Sequence, residues 1–224
     1  MNLNPEQLGQ IGDLLRGLGN HIQRTYPRVG RDGSQTEEDE ILAKLLPEPN
    51  GCYVDIGAAD PVDNSNTWQF YKRGWRGLLV EPVPSFHIRI LRQRWQDKLW
   101  PTAAGDYAGY AKMRICGQVS SLRNDWNMEE RTDGLVEVMP TREILATFPE
   151  IRDKCDLCSV DVEGFEKAVL DGIDWNLFRP RVLCVEYVVH GVSGADSSSE
   201  WEPILTRNGY NRVAQTCCNY IYRR

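Results

Sequence analysis

Long apolar runs are missing from this chain: no stretch reaches the roughly 18 residues that a membrane-spanning helix needs. A secretion signal is missing too, because Asn4, Glu6, Gln7 and Asp13 stand where a basic start and an apolar centre belong. Both absences make the expected location cytoplasmic, with no membrane partner. An excess of positive charge is also lacking. The 26 Lys and Arg residues are outnumbered by 32 Asp and Glu, for a net charge of −6. No basic stripe interleaved with aromatics occurs, so nucleic acid is not an expected partner. Histidine is scarce, at three residues, which restricts the imidazole bases on offer. The seven cysteines are an odd number and several lie in apolar runs, as reduced buried thiols do. Cys155-x-x-Cys158 has no second Cys-x-x-Cys to complete a zinc set, and Cys217 and Cys218, adjacent on a strand, would point to opposite faces.

What is present begins at residues 51–61, Gly-Cys-Tyr-Val-Asp-Ile-Gly-Ala-Ala-Asp-Pro. Cys52, Tyr53, Val54 and Ile56 read as a short buried strand carrying one acid, Asp55. It runs into a small-residue turn at Gly57, where a ligand can approach the backbone. Ser65-Asn66-Thr67 can then cap a helix from about Thr67 to Arg73. Strand, turn and helix start form the first half-unit of a doubly wound α/β nucleotide-binding domain. A Gly-x-Gly-x-x-Gly fingerprint is absent, since Gly57 stands alone, so a dinucleotide pyrophosphate is disfavoured. Asp55 and Asp60 would repel a pyrophosphate but suit the amine and sulfonium of S-adenosylmethionine. An ordinary turn with a solvated Asp60 is the plain alternative.

The rest of the chain repeats the pattern. Residues 4–24 form an amphipathic helix candidate that would pack, cover the site or support a homo-oligomer, within a helical extension over 1–33. A helix follows Glu37 and Glu38, with Ile41, Leu42, Leu45 and Leu46 as its apolar face. Leu78-Leu79-Val80 is a second strand ending in Glu81, which brings Asp55 and Glu81 to one sheet edge, where an acid accepts hydrogen bonds from ribose hydroxyls. A helix covers Phe86 to Trp95, a third strand is expected near 98–103, Ala104-Gly105-Asp106 reads as a turn bordering adenine, and 110–115 reads as an extra strand. Residues 117–140 are the least regular and are expected to wall the acceptor site. Thr141 would cap the following helix. Leu157-Cys158-Ser159-Val160 ends in Asp161, with Glu163 just beyond; these are candidate bases, or with a neighbouring carboxylate a Mg²⁺ site. Equally, both acids could simply complement a helix N-terminus. Residues 181–187 form the fifth parallel strand, with Glu186 near its end and His190 after it as a further candidate base. A last helix and a terminal antiparallel hairpin complete the sequence. One domain is expected from 34 to 224.

The ordered series Ser34-Gln35, Val54-Asp55-Ile56-Gly57-Ala58-Ala59-Asp60-Pro61, Ser65-Asn66-Thr67, Gly74-Trp75-Arg76-Gly77, Val80-Glu81-Pro82, Ala104-Gly105-Asp106 and Ser159-Val160-Asp161-Val162-Glu163-Gly164-Phe165-Glu166 resembles the FkbM-type S-adenosylmethionine-dependent methyltransferases. The likeness runs over about 34–190. It implies a doubly wound, mostly parallel seven-stranded sheet and transfer of a methyl group, most often to a hydroxyl of a sugar or secondary metabolite. It further implies that Asp55 and Gly57 lie against the methionine end, that Glu81 holds the ribose and that Ala104, Gly105 and Asp106 flank adenine. Asn66 and Thr67 would add polar contacts, and Gln35, Ala58, Pro82 and Asp161 would complete the cofactor surroundings. It designates no single catalytic base, so Asp161, Glu163 and His190 rest on their positions alone. An N-methyltransferase and a non-catalytic cofactor-binding module remain as alternatives.

Overall fold

The computed structural model describes residues 33–34, 37–123, 132–188 and 196–224. The expected N-terminal helix, Gln35 and His190 lie outside them. Within them, α1 (Glu38–Leu45) precedes β1 (Cys52–Ile56), α2 (Trp68–Lys72), β2 (Arg76–Val80), α3 (Pro84–Gln93) and β3 (Lys98–Trp100). Next come β4 (Ala103–Gly105), β5 (Gly109–Ile115), a 3₁₀ turn at Gly117–Val119, β6 (Thr132–Pro140), α4 (Thr141–Thr147) and α5 (Pro149–Arg152). The chain closes with β7 (Leu157–Val160), α6 (Glu166–Asp171), β8 (Val182–Glu186), α7 (Ser198–Arg207), β9 (Asn211–Gln215) and β10 (Asn219–Arg223).

Seven strands form one sheet in the order β3-β2-β1-β7-β8-β10-β9. The first five run parallel, and β10 runs antiparallel to both its neighbours, β8 and β9, so that β9 and β10 form the antiparallel terminal hairpin that the sequence predicts. The apolar runs of β1, β2, β7 and β8 suit strands covered on both faces. Strand alternation divides their side chains between two cores. Val54, Ile56, Cys158, Val160, Leu183 and Val185 face Ile144, Leu145, Val169, Leu170 and Trp201. Tyr53, Leu79, Leu157, Val182 and Cys184 face Leu42, Leu46, Phe70, Phe86 and Ile90. Helices α4 to α7 therefore cover one side and α1 to α3 the other, which makes a doubly wound three-layer α/β fold. No described helix is long and apolar enough to cross a membrane.

The expected third strand is two strands. Pro101, which has no N–H to extend a ladder, follows β3, and the chain then leaves the main sheet. Ala103–Gly105, which takes in most of the turn expected at Ala104-Gly105-Asp106, is instead β4 of a second sheet ordered β4-β6-β5. That sheet also contains a nine-residue strand in the stretch expected to be irregular. In β6, Val136 and Val138 are buried while Leu135 and Glu137 are exposed, a period-two pattern.

Two expected caps do other work. Thr67 precedes α2, but its Oγ1 donates to Asp55 Oδ2 at 2.5 Å and makes no cap bond. Thr141 Oγ1 donates to the carbonyls of Val169 (2.9 Å) and Gly105 (3.2 Å), which ties α4 to α6 and β4.

Candidate functional site

Strand β1 pairs with β2 on one side and β7 on the other, so successive crossovers leave it in opposite directions. A crevice opens at the carboxyl ends of strands at such a switch point. Here it is a crevice of about 500 Å³, part of it open to solvent, lined by Ile56, Gly57 and Ala59 at the end of β1, Val80, Glu81 and Pro82 at the end of β2, and Asp161 to Glu163 after β7. Phe86 of α3, Phe165, and Ala103, Met113, Gln118 and Leu122 from the second sheet and its connections close the remaining walls.

Gly57 has φ +83°, and a Cβ there would stand 1.7 Å from the Asp161 carbonyl oxygen. Only glycine allows both the left-handed turn and the close approach of the β1 and β7 ends. The Gly57 N–H donates to the Val80 carbonyl at 2.9 Å, which joins the turn to β2 as well.

Glu81 is 3% exposed. Its Oε2 accepts the Ala59 N–H at 2.8 Å and its Oε1 the Val83 N–H at 2.7 Å. Burial pushes its pKa up to about 7, partly opposed by those two N–H groups. Each carboxylate oxygen keeps acceptor capacity beyond its one backbone donor, so the group can still receive hydroxyls.

Asp55 ends on the opposite side of β1 from Ile56, with Tyr53, and does not line the cavity. It faces a buried polar network. Arg94, 1% exposed, donates to Thr67 Oγ1 at 3.0 Å, to the Pro61 carbonyl at 3.3 Å and to Asp97 at 2.8 Å. Asp97 also accepts from Tyr53 Oη at 2.6 Å. Burial raises the Asp55 pKa, while Arg94 and the Thr67 hydroxyl pull it back. Asp55 thus fixes the start of α2 through Thr67. Asn66 likewise turns to Ser159 Oγ at 3.2 Å. Asp60 is not solvated: it accepts the N–H groups of Val62 and Asp63 and pairs with Arg89. Its charge is spent on the turn.

Beyond β7, Glu166 shapes the loop. Its Oε1 accepts from the N–H groups of Gly164 (3.0 Å) and Val162 (3.2 Å), and burial lifts its pKa to about 7. Glu163 is held at φ +54°, an uncommon conformation for a residue with a Cβ, and Ser121 Oγ donates to its carbonyl at 2.7 Å. The loop brings Asp161, Glu163 and Glu186 together, with one oxygen from each within 4.8 Å of the others. Burial and the neighbouring Asp161 push the Glu186 pKa well up. Three carboxylates so close, Glu163 and Glu186 buried and Asp161 half-buried, cannot all stay charged unless a cation or shared protons compensate. Among the described residues, this trio is the group that could hold a metal ion.

Of the residues expected at the site, Gly57, Glu81, Pro82, Ala104, Asp161 and Glu163 line the cavity. Asp55, Ala58, Asn66, Thr67, Gly105 and Asp106 do not, because they turn into the neighbouring layer, into the second sheet or, for Asp106, to solvent. Glu186 was named only as a strand end, although it follows the same apolar-run-then-acid pattern as Glu81 and Asp161. The apolar walls at Val83, Phe86, Met113 and Leu122 have no local signal, because different elements bring them together.

The family model for the methyltransferase FkbM domain matches residues 55–212. The chain belongs to this family. The matched span runs from the end of β1 into the start of β9, and takes in the switch-point crevice and its acids. No curated protein sequence matches the chain. The chain is similar in fold to cofactor-bound Rv0187 from MTB, at 12% identity and a TM-score of 0.52, covering all of this chain and 98% of that one. It is also similar to the O-methyltransferase from Bacillus cereus in complex with SAH, at 12% identity and a TM-score of 0.50, covering 93% of this chain and 88% of that one. Both likenesses support the doubly wound fold, in agreement with the seven-stranded sheet.

Proposed function

We propose that the protein transfers the methyl group of S-adenosylmethionine to a hydroxyl oxygen of a small-molecule acceptor, a sugar or natural product. The observation that carries this reading is the cavity at the switch point, with Glu81 after β2 and Asp161 and Glu163 after β7 among its walls. Among its described lining residues there are three acids and no Lys, Arg or His, which suits a cationic sulfonium and opposes a pyrophosphate. Family membership supports methyl transfer.

The sulfonium methyl is already activated when the cofactor is bound, so the protein needs to supply position, dryness and a proton acceptor. Glu81 accepts ribose hydroxyls in this reading. Val83, Phe86, Met113, Leu122 and Phe165 keep water from the reacting centre. Asp161 takes the acceptor's hydroxyl proton, and Glu186 beside it shares that proton across the carboxyl pair. His190, the other base candidate, is tested by substitution.

Calorimetry with S-adenosylmethionine and with NAD tests the cofactor: tight binding of the first alone is expected. Transfer of isotope from methyl-labelled cofactor to hydroxyl acceptors tests the reaction. Label on nitrogen would make it an N-methyltransferase, and binding without transfer to any acceptor class would make it a binding module. Turnover lost to EDTA and restored by Mg²⁺ would assign Asp161, Glu163 and Glu186 to a cation instead of a proton.

A further inference from the structure

The hairpin joining β9 to β10 carries a pair of thiols that methyl transfer does not use. Thr216 donates its N–H to the Asn219 carbonyl at 2.9 Å, which leaves Cys217 and Cys218 as a two-residue loop. They are not on a strand, so their side chains do not point to opposite faces as the sequence predicts. Their Sγ atoms lie 3.0 Å apart, one thiol donating to the other. Cys217 is exposed and Cys218 half-buried, so the pair is open to solvent from one side.

Such loops favour Asn-Gly, Asp-Gly or Gly-X, because the strand twist calls for positive φ. Here both positions are cysteine. Neither has positive φ, since the described non-glycine residues with that geometry are Ala59, Asn64 and Glu163. The chain gives up turn preference at both positions and gains a dithiol; a broken local rule of this kind marks function or strain. The turn is held by outside support. Tyr187 donates its N–H to the Cys218 carbonyl and its hydroxyl to the Cys217 carbonyl, both at 2.9 Å. Buried Glu38 accepts from Thr216 Oγ1 and from Asn219 Nδ2, which holds the two ends of the loop. The loop is therefore fixed from both sides with its sulfurs together, and a chelating ligand would pay little ordering entropy.

We propose that Cys217 and Cys218 form a vicinal-dithiol site for a trivalent arsenical or a similar thiophilic oxide. The step is a condensation without redox change. An arsenoxide, R–As=O, loses its oxygen, two As–S bonds form, and the two thiol protons leave with the oxygen as water. Arsenic stays trivalent throughout. Zn²⁺ is the poorer ligand here, because it needs thiolates, whereas burial and the neighbouring Cys217 push the Cys218 thiol up to about 12. Condensation releases its protons as water and does not need a standing thiolate.

The test is titration of the full reduced chain with phenylarsine oxide, followed by native mass spectrometry. One adduct per chain is expected, resistant to excess mercaptoethanol and removed by 2,3-dimercaptopropanol. Cys217→Ser and Cys218→Ser should each weaken binding by roughly a hundred-fold or more, because either one ends the intramolecular second bond. Cys155→Ser, which breaks the other close Cys pair in sequence, should leave the adduct intact. Tryptic mapping of the wild-type adduct gives a readout that needs no variant to fold: arsenic on the peptide Val213–Arg223 is expected. Arsenic on Cys155–Lys167, an adduct that survives both turn variants, or no stable adduct on the wild type would each overturn the proposal.

Discussion

The backbone N–H of Ala59 donates to Glu81 Oε2 at 2.8 Å, so the turn after β1 is fastened to the acid after β2. The Val83 N–H binds the other oxygen at 2.7 Å. The carboxylate proposed to receive the ribose is thus aimed before any ligand arrives. Glu81→Ala should weaken S-adenosylmethionine binding by about 1.5–3 kcal/mol, roughly ten- to a hundred-fold, the worth of a charged hydrogen bond. Calorimetry measures this. Unchanged affinity in a folded variant would remove Glu81 from the cofactor site.

Burial holds Glu81 and Glu166 near a pKa of about 7, against 4.5 for an ordinary Glu. Between those values the folded protein binds more protons than the unfolded one, so stability falls as pH rises from about 4.5 to 7. Each group then contributes up to about 3 kcal/mol less at pH 7.5 than at pH 4.5. Thermal unfolding of the ligand-free protein should show a lower midpoint at pH 7.5 than at pH 5. S-adenosylmethionine should narrow the gap, because hydroxyls donated to Glu81 favour its charged form. A midpoint that climbs across this range would contradict the burial of both acids.

Asp161→Asn should keep cofactor affinity within a few-fold and lose turnover by roughly 10²–10⁴, the usual range for a general base. Isotope-transfer rates and calorimetry, run on one preparation, separate the two effects. Normal turnover would remove Asp161 as the base.

Gly57→Ala places a methyl 1.7 Å from the Asp161 carbonyl oxygen in a left-handed conformation. The β1 and β7 ends must then part. A loss of about 1–3 kcal/mol in stability from strain alone is expected, and the cavity floor moves with it. Cofactor affinity should drop at least ten-fold, read by calorimetry on the folded fraction.

Arg94→Met removes the cation that serves Thr67, Pro61 and Asp97 at once. Asp97 and Asp55 are left buried with weakened partners, and breaking a buried charge pair costs about 3–5 kcal/mol. Urea unfolding measures the loss. A variant as stable as the wild type would show that the network is dispensable.

The four central strands were legible because each is an apolar run that stops at or beside an acid: Asp55 near Ile56, Glu81 after Val80, Asp161 after Val160, and Glu186 closing β8. Burial on both faces leaves such runs nothing to alternate with. The site was legible to the same depth, through strand ends. What failed depends on contacts between distant segments. Thr67 has the composition of a cap, yet the unpaired demand of buried Asp55 outcompeted the helix end for its hydroxyl. Val136 and Val138 do alternate, but Ser120, Ser121 and Asn124 upstream made the whole stretch read as loop. The thiols of Cys217 and Cys218 meet because two residues reverse the chain there, a geometry that strand periodicity does not contain.

The second sheet, β4-β6-β5, carries Ala103, Ala104 and Met113 into the cavity, with Gln118 and Leu122 from the connections beside it. Glu81 and Gly57 stand on the other sheet. On the proposed reading, the ribose acid and the glycine turn stand on one sheet, and much of the wall that would meet the acceptor stands on the other. Relatives could diversify by remodelling the smaller piece alone, and an engineer seeking a new acceptor has reason to randomise Met113, Gln118 and Leu122 first.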